Sequence, residues 1–260
     1  MNDSAENDAV MPDDEQRAQL ASRLRGVRER VAAAARRAGR DERAVQLIAV
    51  TKTVPAQTIS VAYELGMTVF GENRVQDAYA KVAQLSLPSA RWDLIGHLQS
   101  NKAAQAARLF DRIESVDSLH LAGILDARAE SLGRRLPVLL EVNVAGEASK
   151  SGFSPDELPG AATAIATLQH LVPRGLMTVA PLVDDPERVR AVFRRLRELR
   201  DLLRETVSLA FTGAPGGHEG TEPAWDELSM GMSDDFEVAI EEGATLIRLG
   251  RALFGERPKA

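Results

Sequence analysis

The chain has 260 residues, of which 44% are hydrophobic and 27% are charged. This length and balance are typical of one large α/β domain or two small ones, with a core large enough to need no disulfides. The sequence contains no cysteine, which excludes disulfides, thiolate metal sites and cysteine nucleophiles.

The formal net charge of −6 arises at the N-terminus. Six of the 38 acidic residues lie within residues 1–15, which contain no Lys or Arg, so the remaining 32 acids balance the 32 bases. A near-neutral body does not favour nucleic acid or an anionic membrane as a partner. We interpret residues 1–15 as a disordered acidic tail and residues 16–257 as the folded domain.

No apolar run reaches the roughly 18–20 residues that span a bilayer. The acidic start also lacks the basic and then apolar order of a signal peptide. Together these features predict a cytoplasmic protein that does not bind a membrane.

The first predicted element is an amphipathic helix from residue 15. Leu20, Leu24, Val27, Val31 and Ala34 recur at helical spacing, and a glycine at position 39 is placed to end the helix. Because this helix precedes the repeating pattern that follows, we expect it to be an extra N-terminal element.

Short β-branched or Leu-rich runs then alternate with amphipathic helical runs. The predicted strands are 46–52, 68–72, 92–97, 112–116, 137–144, 174–179, 227–231 and 245–250. The clearest helix between them spans 186–204. Eight strands alternating with helices over about 250 residues predict an α/β fold, a single-domain (β/α)8 TIM barrel. An open doubly wound sheet shares this alternation, although no Gly-x-Gly-x-x-Gly follows the first strand.

Three further patterns carry little chemistry. The Gly/Pro-rich stretch 213–223 is predicted to be a surface loop, and it lacks the Gly-Lys-Ser/Thr of a P-loop. The four histidines have no close metal-ligand spacing, so no metal site is predicted. Paired acids such as Glu241 and Glu242 are typical of solvated helix faces.

Lys52 is the first candidate for chemistry. It follows Ile48 and Val50 at a period of two, which places it on their face at the carboxyl end of strand 1, where barrels carry their function. Partial burial lowers the pKa of a lysine, and the neutral amine forms Schiff bases. A lysine that reaches the rim, or pairs with Glu72 or Glu141, explains the position equally well.

Strands 7 and 8 end in residues suited to phosphate. Ser229 and Ser233 lie on the first of these segments, and Ser233 is a natural N-cap for a helix at 234–242. Gly250 and Arg251 follow strand 8 and offer backbone N–H groups. TIM barrels often bind phosphate at this position. Capping and turn formation alone account for the same residues.

Arg248 lies within the apolar eighth strand, so its guanidinium needs a buried acceptor. It belongs either to a structural ion pair or to a cofactor site. In the second case it faces a pyridine nitrogen, where proteins that bind pyridoxal 5′-phosphate (PLP) place Asp or Arg.

Seven segments carry a family resemblance. They are 50–53 (VTKT), 70–76 (FGENRVQ), 94–102 (LIGHLQSNK), 149–152 (SKSG), 175–178 (GLMT), 228–236 (LSMGMSDDF) and 248–255 (RLGRALFG). In these motifs the chain resembles the PLP homeostasis proteins, the alanine-racemase-like, N-terminal-domain family of PLP-binding proteins, over about residues 16–257. Seven motifs in register make the resemblance specific.

The resemblance implies a PLP-binding TIM barrel with the cofactor as a Schiff base on Lys52. It implies phosphate contacts from the Ser229–Ser233 segment, Gly250 and Arg251, and it implies Arg248 at the ring nitrogen. Two further residues, Asn73 and Met177, are expected to contact the cofactor. Lys150 is the family's second lysine of interest, and we hypothesise that it accepts PLP from Lys52 by transimination; a simple surface lysine is the equal alternative.

The resemblance also implies a role in buffering and delivering PLP and in amino-acid and vitamin B6 balance, without an established reaction. We expect a non-catalytic carrier with apo-enzymes that need PLP as recipients. The main alternative is an amino-acid racemase. In racemases a tyrosine from the partner subunit's additional domain serves the second face, whereas Tyr63 and Tyr79 fall in predicted outer helices here and no such domain follows strand 8. A regulatory protein that senses PLP is a third interpretation. We expect a monomer.

Overall fold

The computed structural model describes residues 14–147, 150–181, 183, 185–211 and 224–256. Residues 1–13 of the predicted tail and the predicted loop 213–223 lie outside these ranges. Asp14 and Glu15, assigned to the tail from sequence, form the first turn of a helix instead. Acidic side chains are favourable there because they face the positive end of the helix dipole.

Within the described ranges the chain forms nine α-helices and eight strands. The helices are α1 (Asp14–Arg37), α2 (Ala56–Glu64), α3 (Val75–Val82), α4 (Ala103–Leu109), α5 (Leu119–Ser131), α6 (Leu158–Ala166), α7 (Pro186–Phe211), α8 (Phe236–Glu241) and α9 (Arg251–Phe254). The strands are β1 (Gln46–Val50), β2 (Val69–Glu72), β3 (Arg91–Leu94), β4 (Arg112–Val116), β5 (Leu136–Glu141), β6 (Leu171–Met177), β7 (Glu227–Ser229) and β8 (Leu246–Leu249). None of the described helices is apolar over a length that could cross a bilayer.

The eight strands form one closed barrel of parallel strands in chain order. β1 pairs with both β2 and β8, and Ala49 lies opposite Phe70 on one side and Leu249 on the other. This closure confirms the single TIM barrel and excludes the open doubly wound sheet.

All eight predicted strands exist; the strand at 112–116 has its predicted bounds and the bounds of the other seven differ. β1 ends at Val50 and β5 at Glu141, and β6 begins three residues before the predicted start at 174. Pro173 hides this beginning, because proline lacks an N–H and argues against a strand interior. The register shifts opposite it, between Val138 and Leu139, and such an irregularity accommodates the proline.

Helix α1 ends as its glycine predicts. Gly39 has a φ of 64°, and its N–H donates to the Arg36 carbonyl at 3.1 Å. The next N–H, of Arg40, donates to the Ala35 carbonyl at 2.9 Å. These two hydrogen bonds form a Schellman motif, which needs a residue in the left-handed conformation at its centre. The helix packs against α8 and α9, so it covers the outside of the barrel beside the closure between β8 and β1.

The predicted capping of the next-to-last helix is wrong. Helix α8 starts at Phe236 rather than 234, and Asp235 occupies the N-cap position. The Ser233 hydroxyl instead accepts a hydrogen bond from the Ala252 N–H at 3.1 Å. The Asp235 carboxylate bonds to the Met232 N–H at 2.6 Å, which shapes the turn before the helix.

The prediction that Glu242 lies on a solvated helix face is also wrong. Its side chain is only 7% exposed and lies within 3.3 Å of three arginines of α7, which are Arg190, Arg194 and Arg197. The hydrophobic pattern marks α8 as amphipathic but does not reveal that another helix supplies guanidinium groups over this position.

The barrel interior is partly apolar and partly charged. One buried apolar cluster lies inside the barrel, formed by Ile48, Val69, Leu139, Met177 and Leu246. The polar side chains of Asp93, Arg112, Glu114, Ser229 and Arg248 are also buried. A much larger apolar cluster separates the strands from the helices.

Candidate functional site

Lys52 lies just beyond β1, in a turn at the carboxyl end of the barrel. The Thr51 N–H still pairs with the Gly71 carbonyl of β2 at 3.0 Å, and then the Val54 N–H closes a turn onto the Thr51 carbonyl at 2.9 Å. Thr53 has a φ of 65°, a conformation that non-glycine residues rarely adopt. The side chain of Lys52 is half-buried in this constrained turn.

A buried polar cluster holds the turn in place. The Lys81 ammonium of α3 donates to the Thr51 carbonyl and to Glu72, each at 2.6 Å. The Thr51 hydroxyl donates to the same carboxylate oxygen of Glu72 at 2.5 Å. Glu72, which the sequence suggested as a partner of Lys52, therefore binds Lys81 and Thr51. Nothing in the sequence singled out Lys81 for this role.

Arg248 is held inside the barrel below the strand ends. Its side chain is buried, and one terminal nitrogen donates to the Ser229 hydroxyl at 2.6 Å while the other donates to the Thr178 carbonyl at 2.7 Å. Burial lowers the pKa of Arg248, and the carboxylates of Glu114, Asp235 and Glu141 oppose this change. The sequence named Arg248 correctly as a buried arginine but did not identify these acceptors.

The segments after β7 and β8 meet. The bond from the Ala252 N–H to Ser233 joins them, and Arg251 pairs with Asp234. A Cβ on Gly250 would lie 3.5 Å from the Val50 carbonyl, so the end of β8 lies in contact with the end of β1. This contact brings Gly250 close to the turn that carries Lys52.

Asn73 and Met177 contribute to the same end of the barrel. Met177 is buried in the interior apolar cluster, and Asn73 follows β2 in a half-buried position. A Cβ on Gly96 would approach the Asn73 Cα to 2.8 Å, so a glycine lets the chains after β2 and β3 come together.

Lys150 belongs to the loop after β5. Its ammonium donates to Glu147 at 2.7 Å and to the Val179 carbonyl at 3.2 Å. The Asn143 amide donates to the Glu147 carbonyl at 2.9 Å and shapes the same loop. Because Val179 follows β6, these bonds hold Lys150 beside the carboxyl end of that strand.

An acid–base pair lies at the rim. The His97 ring is exposed, and its Nδ1 lies 3.0 Å from Asp117 and 3.4 Å from the Ser151 hydroxyl. Nearby, the pKa of the Glu141 carboxyl is raised by burial and by the negative charge of Asp117. These groups provide the mouth with side chains that can exchange protons.

The sequence found the residues at the strand ends but missed the polar groups below them. Arg112 binds Asp93 at 2.5 Å and Glu227 at 2.6 Å, and it lies 3.2 Å from Glu114. These residues lie within strands, where the only sign of them in the sequence was a charged residue in an apolar run. Across the described residues, no group of three His, Asp or Glu side chains could hold a metal ion.

Comparisons with known proteins agree with this architecture. The model of the family described as alanine racemase, N-terminal domain, matches residues 23–258. The fold and the match together define a barrel of the alanine racemase N-terminal-domain class.

Similar proteins narrow the class. A pyridoxal phosphate homeostasis protein of Aquifex aeolicus is 42% identical over 235 residues, covering 90% of this chain and 97% of that protein. One of Pseudomonas aeruginosa is 42% identical over 238 residues, covering 92% and 96%. PipY of Synechococcus elongatus, solved with PLP bound, is 39% identical with a TM-score of 0.77, covering 91% of this chain and 100% of that one. The chain belongs to the family of pyridoxal phosphate homeostasis proteins.

Proposed function

We propose that this protein binds PLP at the carboxyl end of its barrel, as a Schiff base on Lys52, and buffers and delivers the cofactor inside the cell. The observation that carries the proposal is the contact between the ends of β1 and β8. It brings a half-buried lysine, a glycine turn and a buried arginine to one end of the barrel. The solved structure of PipY with PLP bound supports the same ligand.

The residues present fit such a cofactor. Arg248 is a fixed, buried donor suited to a ring nitrogen, since an arginine only donates hydrogen bonds. Ser233, Gly250 and Arg251 lie together where barrels bind phosphate. PLP supplies an aldehyde that condenses with an amine and a ring that withdraws electrons.

The remaining predicted contacts have different supporting roles in this proposal. Asn73 and Met177 lie beside and below the mouth. The Ser229 hydroxyl is committed to Glu114 and Arg248, so we assign its side chain to the ring-nitrogen end of the site rather than to the phosphate.

We favour a carrier over an enzyme. Racemisation needs a proton acceptor on each face of the substrate. Tyr63 and Tyr79 lie in α2 and α3, outside the barrel, and Tyr79 is largely exposed. The His97–Asp117 pair at the rim is the observation that favours the racemase alternative. A cytoplasmic location, a monomeric state and apo-enzymes as recipients stay predictions.

Reduction with borohydride tests the cofactor site. The purified protein is loaded with equimolar PLP, reduced and digested, and its peptides are mapped by mass. We expect a pyridoxyl group on Lys52, its loss in Lys52→Ala, and its retention on Lys52 in the matched control Lys150→Ala. A parent protein that cannot be loaded, or a label confined to another lysine, would contradict the proposal.

The carrier role is tested by mixing the loaded protein with an apo-enzyme that requires PLP and following the recovery of its activity. We expect transfer by the parent and slower transfer by Lys150→Ala, because Lys150 is a second amine beside the mouth. Equal transfer rates remove Lys150 from the path. Rapid α-proton exchange in an amino acid, abolished in Lys52→Ala, would establish the racemase alternative instead.

A further inference from the structure

Three buried side chains are joined by hydrogen bonds in a series that extends from the middle of the barrel to the candidate site. The Ser229 hydroxyl lies 2.6 Å from a carboxylate oxygen of Glu114 and 2.6 Å from a guanidinium nitrogen of Arg248. Glu114 and Ser229 have no exposed surface, and Arg248 is 4% exposed. The three residues come from β4, β7 and β8.

The chemistry of the three groups decides which of them donates in each hydrogen bond. Arginine only donates hydrogen bonds and a carboxylate only accepts them, whereas a hydroxyl has one proton to donate. The Ser229 proton therefore goes to Glu114, and a lone pair of the same oxygen accepts from Arg248. Without the carboxylate, the hydroxyl is free to turn its proton toward the guanidinium.

Glu114 is itself fixed from below. The Arg112 guanidinium lies 3.2 Å from its second oxygen, through the same nitrogen that contacts Asp93, while the other terminal nitrogen contacts Glu227. Glu114 also supplies negative charge near the buried Arg248, which offsets part of the cost of burying that cation.

We propose that Glu114 is a positioning residue for the PLP site, which acts through Ser229 to fix the orientation of Arg248 toward the ring nitrogen of the cofactor. The proposal rests on the proposed function. A fixed, charged arginine keeps that nitrogen unprotonated, so Glu114 controls how strongly the ring withdraws electrons and how tightly PLP is bound.

The test compares Glu114→Gln with Glu227→Gln. Both remove a carboxylate from Arg112, but only Glu114 accepts a hydrogen bond from Ser229, which in turn accepts one from Arg248. For each variant, PLP dissociation constants are measured by equilibrium titration, and the absorption spectrum of the loaded protein is recorded across pH. Loss of one charge-assisted hydrogen bond corresponds to about 10- to 150-fold in affinity.

We expect Glu114→Gln to weaken PLP binding by that factor and to lower the pH at which the visible band of the protonated imine disappears, because the site loses a negative charge. Glu227→Gln should match the parent in both measurements. A structural role alone would not move the pH midpoint, and melting of the apo-protein monitors folding separately.

Ser229→Ala keeps both charges and removes only the link, so it also serves if Glu114→Gln does not fold. We expect Ser229→Ala to weaken PLP binding by a similar factor. The variant with both Glu114→Gln and Ser229→Ala should bind PLP no more weakly than the weaker-binding of the two single variants. Parent-like behaviour of Glu114→Gln or of Ser229→Ala, fully additive effects, or an equal effect of Glu227→Gln would overturn the proposal. A parent that takes up no PLP refutes the proposed function as well, whereas a loaded parent with an unaffected Glu114→Gln refutes only this inference.

Discussion

At the scale of single residues, one of the two buried arginines in the described part of the barrel interior lies among three carboxylates. Arg112 contacts Asp93, Glu114 and Glu227, and its pKa is raised above the ordinary value, against the effect of burial, by those acids. Burial, assisted by the neighbouring charge of Glu114, raises the pKa of Asp93 to about 7 despite the arginine. Asp93 and Glu114 are both buried beside the same guanidinium of Arg112, so their charges oppose each other and Asp93 retains its proton more readily.

This arrangement predicts a pH dependence of stability. A folded pKa above the unfolded value of about 4 means that the native state binds the proton more tightly, so this contribution to the free energy of unfolding is lost as pH rises from about 4 through about 7. Between these pH values we expect the free energy of unfolding of Asp93→Asn to fall less than that of the parent, by about 1 kcal/mol or more. Urea denaturation at several pH values measures this.

The exposed Asp156 provides the control. Asp156→Asn should keep the slope of the parent. If Asp93→Asn also keeps that slope, Asp93 does not titrate in this range.

At the scale of elements, β6 and β7 approach each other because β6 contains a glycine. Gly175 lies opposite Glu227 in the parallel pairing, and a Cβ at Gly175 would overlap the Glu227 carbonyl. The approach matters for the site, since β6 leads to Thr178 and β7 contains Ser229, and both accept hydrogen bonds from Arg248.

We therefore expect Gly175→Ala to lower the free energy of unfolding by about 3 kcal/mol, because backbone must move to admit the methyl group. Gly160 in α6 is the matched control, since a Cβ there meets nothing within 4 Å. Gly160→Ala should raise stability by about 0.5–1 kcal/mol through helix propensity. Chemical denaturation compares the two, and equal small effects would mean that the strands separate at little cost.

At the scale of the whole molecule, ion pairs join helices that are far apart in sequence. The acids are Glu237 and Glu241 of α8 and Glu242, which follows it. They pair with arginines of α1 and α7, namely Arg30, Arg37, Arg190, Arg194 and Arg197. The outer layer around the last strands is thereby tied to the N-terminal helix. This layer keeps the closing strands β8 and β1 covered.

Glu242 is the most buried acid of this layer, so its loss should leave the arginines around it uncompensated. We expect Glu242→Gln to lower the free energy of unfolding by about 1–3 kcal/mol. The exposed pair of Arg195 and Glu198 predicts an effect within about 0.5 kcal/mol for Glu198→Gln. Thermal and urea unfolding should separate the variants, and equal effects would show that burial adds nothing at Glu242.

The sequence by itself determined the architecture, because apolar periodicity is a local property of each strand and helix. It also determined that Lys52, Ser233, Gly250 and Arg248 lie at or just below the carboxyl ends of strands, since closing a barrel brings those ends together. The strand at 112–116 was predicted with its correct bounds, although it contains the charged residues Arg112 and Glu114.

The tertiary structure alone decided which polar group faces which. Lys81 binds the turn of Lys52 from a neighbouring helix, Ser233 accepts from Ala252 rather than capping α8, and Ser229 joins Glu114 to Arg248. Each of these bonds connects groups whose distance depends on the packing of two or more elements. Periodicity assigns a residue to a face of its own element, whereas hydrogen-bond partners are selected only when the barrel closes and water is excluded.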